Sequence, residues 1–254
     1  MELWSPMHIK TLLPALVVML LVSIALRAWL GKKDVKIRMI PVQIIAGLLL
    51  ILEVGKQAVS FSRGYDLYHI PLHFCSLLLF TLPAMAFYKG KYVQQVRAIG
   101  TATCGAIFWL TAIYPCLIYS AGNIEGFFTN FLDAHTVLFH NLAMLAFMLI
   151  VALDLHQPAP KGEHKNIVLY LTVFCVVAAV MSQLLETNYA GFYHCNVPIV
   201  EEIRISLQPV LGYWPTQLIY IVGLTAVHYG FVLGFYCLYK VIRRLLTKKA
   251  PAAV

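Results

Sequence analysis

The segment IKTLLPALVVMLLVSIALRAWL, residues 9–30, decides the fold class of this chain. Its only charged residues, Lys10 and Arg27, lie near its two ends. A helix needs about 20 apolar residues to cross a hydrocarbon core about 30 Å thick, and this segment has that length. The chain of 254 residues is 61% apolar and 12% charged, with a mean hydropathy of +0.79. A soluble helical protein needs a solvated polar face on each helix, so the composition indicates a membrane protein.

Six further segments have the same length and apolar character. We therefore predict an all-α fold, a polytopic membrane helix bundle with about seven transmembrane helices, forming a single transmembrane domain over residues 1–254. The predicted spans are roughly 9–30, 39–60, 70–88, 97–119, 134–154, 166–186 and 213–239. The longest stretch outside these spans, about 187–212, is predicted to be a long external loop.

The Lys and Arg residues divide unequally between the two sides of the predicted bundle. Fourteen lie on one side: Lys32, Lys33, Lys36, Arg38, Lys89, Lys91, Arg97, Lys161, Lys165, Lys240, Arg243, Arg244, Lys248 and Lys249. Only Lys10, Arg63 and Arg204 lie on the other side. Basic residues are retained on the cytoplasmic side, so we predict an external N-terminus and a cytoplasmic C-terminus. The excess of basic residues on the predicted cytoplasmic side explains the net charge of +8, so no nucleic-acid partner is expected.

Polar residues concentrate in the outer halves of the predicted spans. At 1.5 Å per residue, these side chains lie at similar depths: Glu53, Lys56, His73, Cys75, His140, Gln183 and Glu186. Ionisable groups inside a membrane are costly unless they face a polar interior or one another, so we predict one polar cavity there. The stretch YHIPLHFCSLLLF, residues 68–80, begins a helix at the rim of this cavity, and Pro71 suits the first turn of that helix.

Glu53 and Lys56 allow two interpretations. Their i, i+3 spacing fits a structural ion pair, whereas their position fits a functional role. Cys75 and His140 are candidates for catalysis, because a Cys–His pair is sufficient for acyl transfer: the base takes the thiol proton and sulfur attacks an ester carbonyl. A third polar group usually orients the imidazole, and Glu53, Asn141 and Asn188 are candidates for it.

Two other functions are compatible with these residues. The first is a transporter or binding protein for a small molecule or lipid, with no catalytic activity, in which Glu53 and Lys56 line a pocket. The second is a metal site built from His73, Cys75, His135 and His140. We rank it last, because His73 and Cys75 at i, i+2 point to different helix faces, and we expect no metal and no cofactor.

Four motifs carry a resemblance to a known family: PLHFCSLLLF at 71–80, FHNL at 139–142, TNY at 187–189 and LGYWP at 211–215. Together they resemble the YwaF-like integral membrane family, which is similar to the animal TMEM-type acyltransferases that build polyunsaturated ether phospholipids. The likeness runs from about Arg38 to Tyr239 and includes the seven-span layout.

This resemblance implies a bacterial plasma-membrane protein that moves a fatty acyl chain between lipids through a cysteine thioester. Membrane lipids would then be both substrate and solvent. The animal enzymes work through a cysteine and a histidine, which correspond here to Cys75 and His140. The supporting or substrate-binding candidates are His73, Glu53, Lys56, Asn141, Gln183, Asn188, Tyr189 and Trp214.

Overall fold

The computed structural model describes residues 4–117, 119–159 and 162–248, and the regular structure in these ranges is helical. Ten α-helices follow one another in the described ranges: α1 (Pro6–Leu30), α2 (Val35–Arg38), α3 (Ile40–Ser62), α4 (Leu78–Phe87), α5 (Val93–Ile113), α6 (Ala121–Glu125), α7 (Phe131–Ala152), α8 (Glu163–Leu184), α9 (Pro198–Leu211) and α10 (Tyr213–Lys248).

Six segments of the described chain are long and apolar enough to cross a membrane: α1, α2 with α3, α5, α7, α8 and α10. The predicted polytopic helical bundle is therefore confirmed. The helix boundaries differ from the predicted spans by a few residues. The span predicted at 97–119, for example, is a helix that ends at Ile113, because Pro115 disfavours helical geometry at Tyr114.

The third predicted span, 70–88, differs more from the structure. Its apolar helix covers only Phe74–Phe87, which is about 21 Å long and shorter than the hydrocarbon core. Pro71 lies before this helix and not in its first turn, so that part of the prediction is wrong. Ile70 is extended, with φ −57° and ψ 131°, as expected for a residue that precedes proline.

The stretch predicted as a loop at 187–212 contains a helix, α9, which packs against α10. Pro198 occupies the first turn of α9, where its missing N–H costs nothing. Gly212 ends the helix with φ at +82°, a conformation that favours glycine. The segment is amphipathic, and Ile199, Ile203 and other apolar side chains are exposed on it.

Helix α5 is the centre of the bundle, because it packs against α4, α7, α8 and α10. Small residues make this close packing possible. A Cβ atom added at Gly100 would lie 2.8 Å from Met85 Cβ, and one added at Gly105 would lie 2.9 Å from Phe147 Cε2. Small residues at membrane helix interfaces let the backbones approach closely in this way.

The long helices alternate in direction, so the bundle has two ends, which we name after a buried acid at each. At the Glu53 end, His8 near the start of α1 hydrogen-bonds with the carbonyl of Tyr119, which follows α5. At the Asp154 end, Asp154 after α7 pairs with Arg27 from α1 and with Arg243 from α10. The residues that we predicted to form one polar cavity lie at the Glu53 end, but none of them lines the cavity that the structure has there.

Candidate functional site

A buried ion pair lies between α3 and α7 at the Glu53 end. Lys56 Nζ lies 2.8 Å from Glu53 Oε1, and only 12% and 11% of the two side chains are exposed. Gln57 Nε2 also donates to Glu53 Oε1, at 2.6 Å. The second oxygen, Oε2, lies 3.6 Å from His135 Nε2 on α7. Glu53 therefore has three polar neighbours, whereas Lys56 pairs with Glu53 alone among the described residues.

Gln57 links this ion pair to the segment between α3 and α4. Its Nε2 donates to the carbonyl of His69 at 2.8 Å, and its Oε1 accepts from Tyr65 Oη at 2.8 Å. The ring of His69 is fixed in turn by Ser60 Oγ, 2.7 Å from Nδ1. These bonds hold in place the irregular chain that leads to Cys75.

Cys75 lies in the first helical turn after Pro71, half-buried. This turn has no side-chain cap among the described residues. The amide groups at a helix start lack intrahelical partners and carry partial positive charge. The charges of Glu53 and Lys56 act on the Cys75 thiol, which brings three of the predicted site residues into one region.

His73 belongs to the same region. The charges of Lys56 and Glu53 act on its ring, which also packs at a tilt against Tyr68 with the centroids 4.3 Å apart. Its Nε2 hydrogen-bonds with the carbonyl of Tyr68 at 2.8 Å. The predicted residue Tyr189 packs edge-on against His73, with the ring centroids 5.8 Å apart.

His140 is buried on α7 in a defined tautomeric state. Its Nδ1 lies 2.7 Å from the carbonyl of Thr136. A carbonyl oxygen only accepts, so Nδ1 carries the proton and Nε2 is the basic nitrogen. Among the described residues, Nε2 has no hydrogen-bond partner. The ring packs against those of Phe139 and Tyr119. His140 therefore has the tautomer that a general base requires.

The structure does not bring Cys75 and His140 into contact. No hydrogen bond or ring contact joins them in the ranges that the structure describes. His135 lies between the two regions, because its Nε2 is 3.6 Å from Glu53 Oε2 and its ring packs against Phe139, which also contacts the ring of His140. This histidine was considered only as a metal ligand in the sequence analysis.

A cavity of about 230 Å³ opens between α1, α6 and α7. His140 does not line it, but the ring of His140 packs against that of Tyr119, which does. The cavity is lined by Thr11, Leu12, Tyr119, Ile124, Phe127, Phe128, Val137 and Asn141. Tyr119 Oη and Asn141 Oδ1 are buried and have no hydrogen-bond partner among the described residues. Buried polar atoms normally have partners, so these two atoms are available to bind a ligand or water. A mostly apolar cavity with two convergent polar groups is typical of a ligand site.

The remaining predicted residues lie elsewhere at the Glu53 end. Gln183 donates to the carbonyl of Phe192 and accepts from Tyr213 Oη. Asn188 Oδ1 accepts from the amides of Tyr193 and His194, so it organises its own loop. Trp214 is 67% exposed, which is typical of an aromatic residue at a membrane interface.

Sequence reasoning missed two residues of this region, Tyr119 and His228. His228 lies on α10, and its ring packs on Phe74, the residue before Cys75, with the centroids 5.0 Å apart. A histidine in the middle of a predicted span was a signal that could have identified it. Tyr119 gave no such signal, since a tyrosine at a span end is common.

No group of three or more His, Cys, Asp or Glu residues within the described ranges is arranged to bind a metal ion.

The sequence profile of the TMEM164 family matches residues 3–236. The chain belongs to the TMEM164 family. The TMEM164 match covers α1 to α9 and most of α10, and therefore both the ion pair and the cavity. Together with the apolar helices, it identifies a multi-pass integral membrane protein. No curated protein and no solved structure matches the chain.

Proposed function

We propose that this protein is a lipid acyltransferase that works through a thioester on Cys75, with His140 as the base. The observation that carries the proposal is the cavity lined by Tyr119 and Asn141, because the ring of Tyr119 packs against that of His140. The apolar wall of the cavity suits a fatty acyl chain, and Tyr119 Oη can donate a hydrogen bond to an ester oxygen. Asn141 Oδ1 can accept one from a hydroxyl group of the same lipid.

The reaction has two halves. His140 Nε2 takes the thiol proton, Sγ attacks the ester carbonyl of the donor lipid, and the C–O bond breaks. The leaving alkoxide takes the proton back from His140, which leaves a lysolipid and an acyl thioester. The hydroxyl of an acceptor lipid then loses its proton to Nε2 and attacks the thioester, and the S–C bond breaks. The thiolate recovers the proton.

Other parts of the Glu53 end support the nucleophile. The partial positive charge of the helix start beside Cys75 would stabilise the oxyanion, and Lys56 contributes positive charge nearby. Proton transfer requires Sγ and Nε2 to come within about 3 Å of each other or to share one water. Catalytic hydrogen bonds often tighten only when substrate binds, and substrate in the cavity would lie against Tyr119, whose ring packs against that of His140.

We also propose how the protein is oriented in the membrane. The excess of Lys and Arg at the Asp154 end favours a cytoplasmic position for that end, so the Glu53 end would face the outer leaflet. The resemblance to YwaF-like proteins favours a bacterial plasma membrane.

The test uses purified protein in vesicles that contain a phospholipid with a labelled acyl chain and an unlabelled lysophospholipid. We expect the wild type to transfer the label, and Cys75→Ser and His140→Ala each to abolish transfer while folding is preserved. The double variant should resemble either single variant, because the two residues act as one unit. Cys237→Ser, a change at an exposed cysteine, is the matched control and should remain active.

Two further variants test the identity of the base. His73 and His228 are two other histidines near the Cys75 turn. If His140→Ala keeps its activity and His73→Ala or His228→Ala loses it, the assignment of His140 is wrong. A wild type that transfers no acyl group from any phospholipid donor would refute the proposed function itself.

A further inference from the structure

The Asp154 end contains more buried positive charge than its two buried carboxylates neutralise. Asp154 accepts from Arg27 Nη1 at 3.0 Å and also pairs with Arg243. Glu163 accepts from Tyr236 Oη at 2.7 Å and lies 3.9 Å from Lys240 Nζ. Both acids are therefore engaged by residues of α1 and α10.

Arg38 and Arg97 remain without a carboxylate. Arg38 Nη1 donates to the carbonyl of Leu153 at 2.6 Å, and its Nε is buried without a hydrogen-bond partner. Arg97 makes no hydrogen bond or ion pair with any described residue, and its Nε is also buried. The two arginines are close enough for their like charges to act on each other.

This arrangement is unfavourable for the protein alone. Buried charges are normally paired, and the like charges of the half-buried Arg38 and Arg97 oppose each other. Arg97 also lies near the start of α5, whose first turn contains no acidic residue. The partial positive charge of a helix N-terminus adds to that of the arginines. The charge of Arg97 also acts on the buried residue His156. The charges of Lys240 and Arg243 act on His156 as well.

A bound anion would remove this imbalance. We infer that Arg38 and Arg97 form a binding site for a phosphate group at the Asp154 end, separate from the proposed acyl-transfer site. Arginine binds phosphate oxygens with paired N–H groups, and a helix N-terminus is a favourable place for phosphate. Arg97 lies four residues inside α5, about 6 Å along the helix, which is near the headgroup level of a bilayer.

The phosphate can belong to an anionic phospholipid or to a soluble phosphate compound, and the experiment separates the two. Purified protein is titrated with phosphatidylglycerol, with phosphatidylcholine and with inorganic phosphate. Thermal unfolding and lipid retention by native mass spectrometry are measured for the wild type, Arg38→Gln and Arg97→Gln. Lys91→Gln is the matched control, because Lys91 is an exposed cation in the turn before α5.

We expect an anion to raise the unfolding temperature of the wild type and of Lys91→Gln. Arg97→Gln and Arg38→Gln should each weaken its binding at least tenfold. A shift with phosphatidylglycerol alone identifies a lipid headgroup, and an equal shift with inorganic phosphate identifies a soluble ligand.

Should Arg97→Gln fail to fold, Arg97→Lys keeps the charge and loses the paired donors, so it should bind at intermediate strength. The inference is overturned if neither anion binds the wild type. It is also overturned if the arginine variants bind within twofold of Lys91→Gln. Neither result depends on acyl transfer.

Discussion

Glu53 Oε1 and Lys56 Nζ lie 2.8 Å apart, one helical turn from each other on α3, in a part of the bundle that excludes most solvent. The sequence allowed two interpretations of this pair, a structural ion pair or a functional role. The short distance between the two charged atoms is the geometry expected for an ion pair. Its two members are nevertheless unequal. Glu53 also accepts from Gln57 and faces His135, whereas Lys56 relies on Glu53.

This inequality predicts different effects on stability. Glu53→Leu strands the Lys56 ammonium and should cost roughly 3 kcal/mol of unfolding free energy, while Lys56→Leu should cost less. Replacing both by leucine should recover most of the loss. Thermal unfolding in detergent checks this, with Val54→Ala as the control because Val54 is 69% exposed on the same helix. Equal losses for the two single variants would contradict it.

The same variants separate structure from catalysis. If Glu53 only neutralises Lys56, the stable double variant should also transfer acyl groups normally. A double variant that is stable but inactive would show that Glu53 or Lys56 assists Cys75. The charges of both residues act on the Cys75 thiol.

Tyr119→Phe tests the cavity without changing its shape. The Tyr119 hydroxyl is buried without a partner, and such a group costs about 1–3 kcal/mol. We therefore expect the variant to be as stable as the wild type or more stable. Acyl transfer should fall about tenfold, because a ligand hydrogen bond worth about 1.4 kcal/mol is lost. Full activity would show that the hydroxyl does not contact the substrate.

His156, in the connection between α7 and α8, predicts a dependence of stability on pH. Burial lowers the pKa of His156 to about 4, and three cationic neighbours act in the same direction. The unfolded chain binds this proton near pH 6.5, so stability should fall as the pH drops from about 6.5 towards 4, by about 3 kcal/mol at the lower limit. Thermal unfolding between pH 7.5 and 4.5 measures the fall.

His156→Gln supplies the comparison for this prediction. The variant lacks the titrating ring, so its stability should decline less steeply over the same pH range. Parallel curves for the wild type and the variant would assign the decline to another group.

The orientation is tested with accessible tags. A tag at the C-terminus should be cytoplasmic, and a tag between Asn188 and Pro209 should be external, because of the unequal placement of Lys and Arg. Protease treatment of inside-out vesicles should remove the first tag and spare the second. A protected C-terminal tag would reverse the orientation.

Segment length and apolar character were enough to predict six membrane-spanning helices, because both depend on local sequence. The spacing of Glu53 and Lys56 likewise indicated their contact. The neighbours of His140 could not be predicted, since depth along α7 does not define which helix its ring faces. Cys75 and His140 share a depth yet have different neighbours. The cavity depends on how α1 and α6 pack against α7, which no local pattern encodes.

Pro71 illustrates the same limit within one segment. A proline suits either the first turn of a helix or the residues before it. The structure has the second arrangement, which shortens the helix and leaves Cys75 in its first turn.

The central claim is a covalent acyl group on Cys75, and mass spectrometry of the protein tests it most directly. The protein is incubated with a phospholipid donor without an acceptor, quenched in acid and digested. We predict one acyl chain on the peptide that contains Cys75, released by neutral hydroxylamine, present in Cys237→Ser and absent from Cys75→Ser. Acyl transfer that proceeds without any acylated Cys75, or that survives Cys75→Ser, would contradict the account.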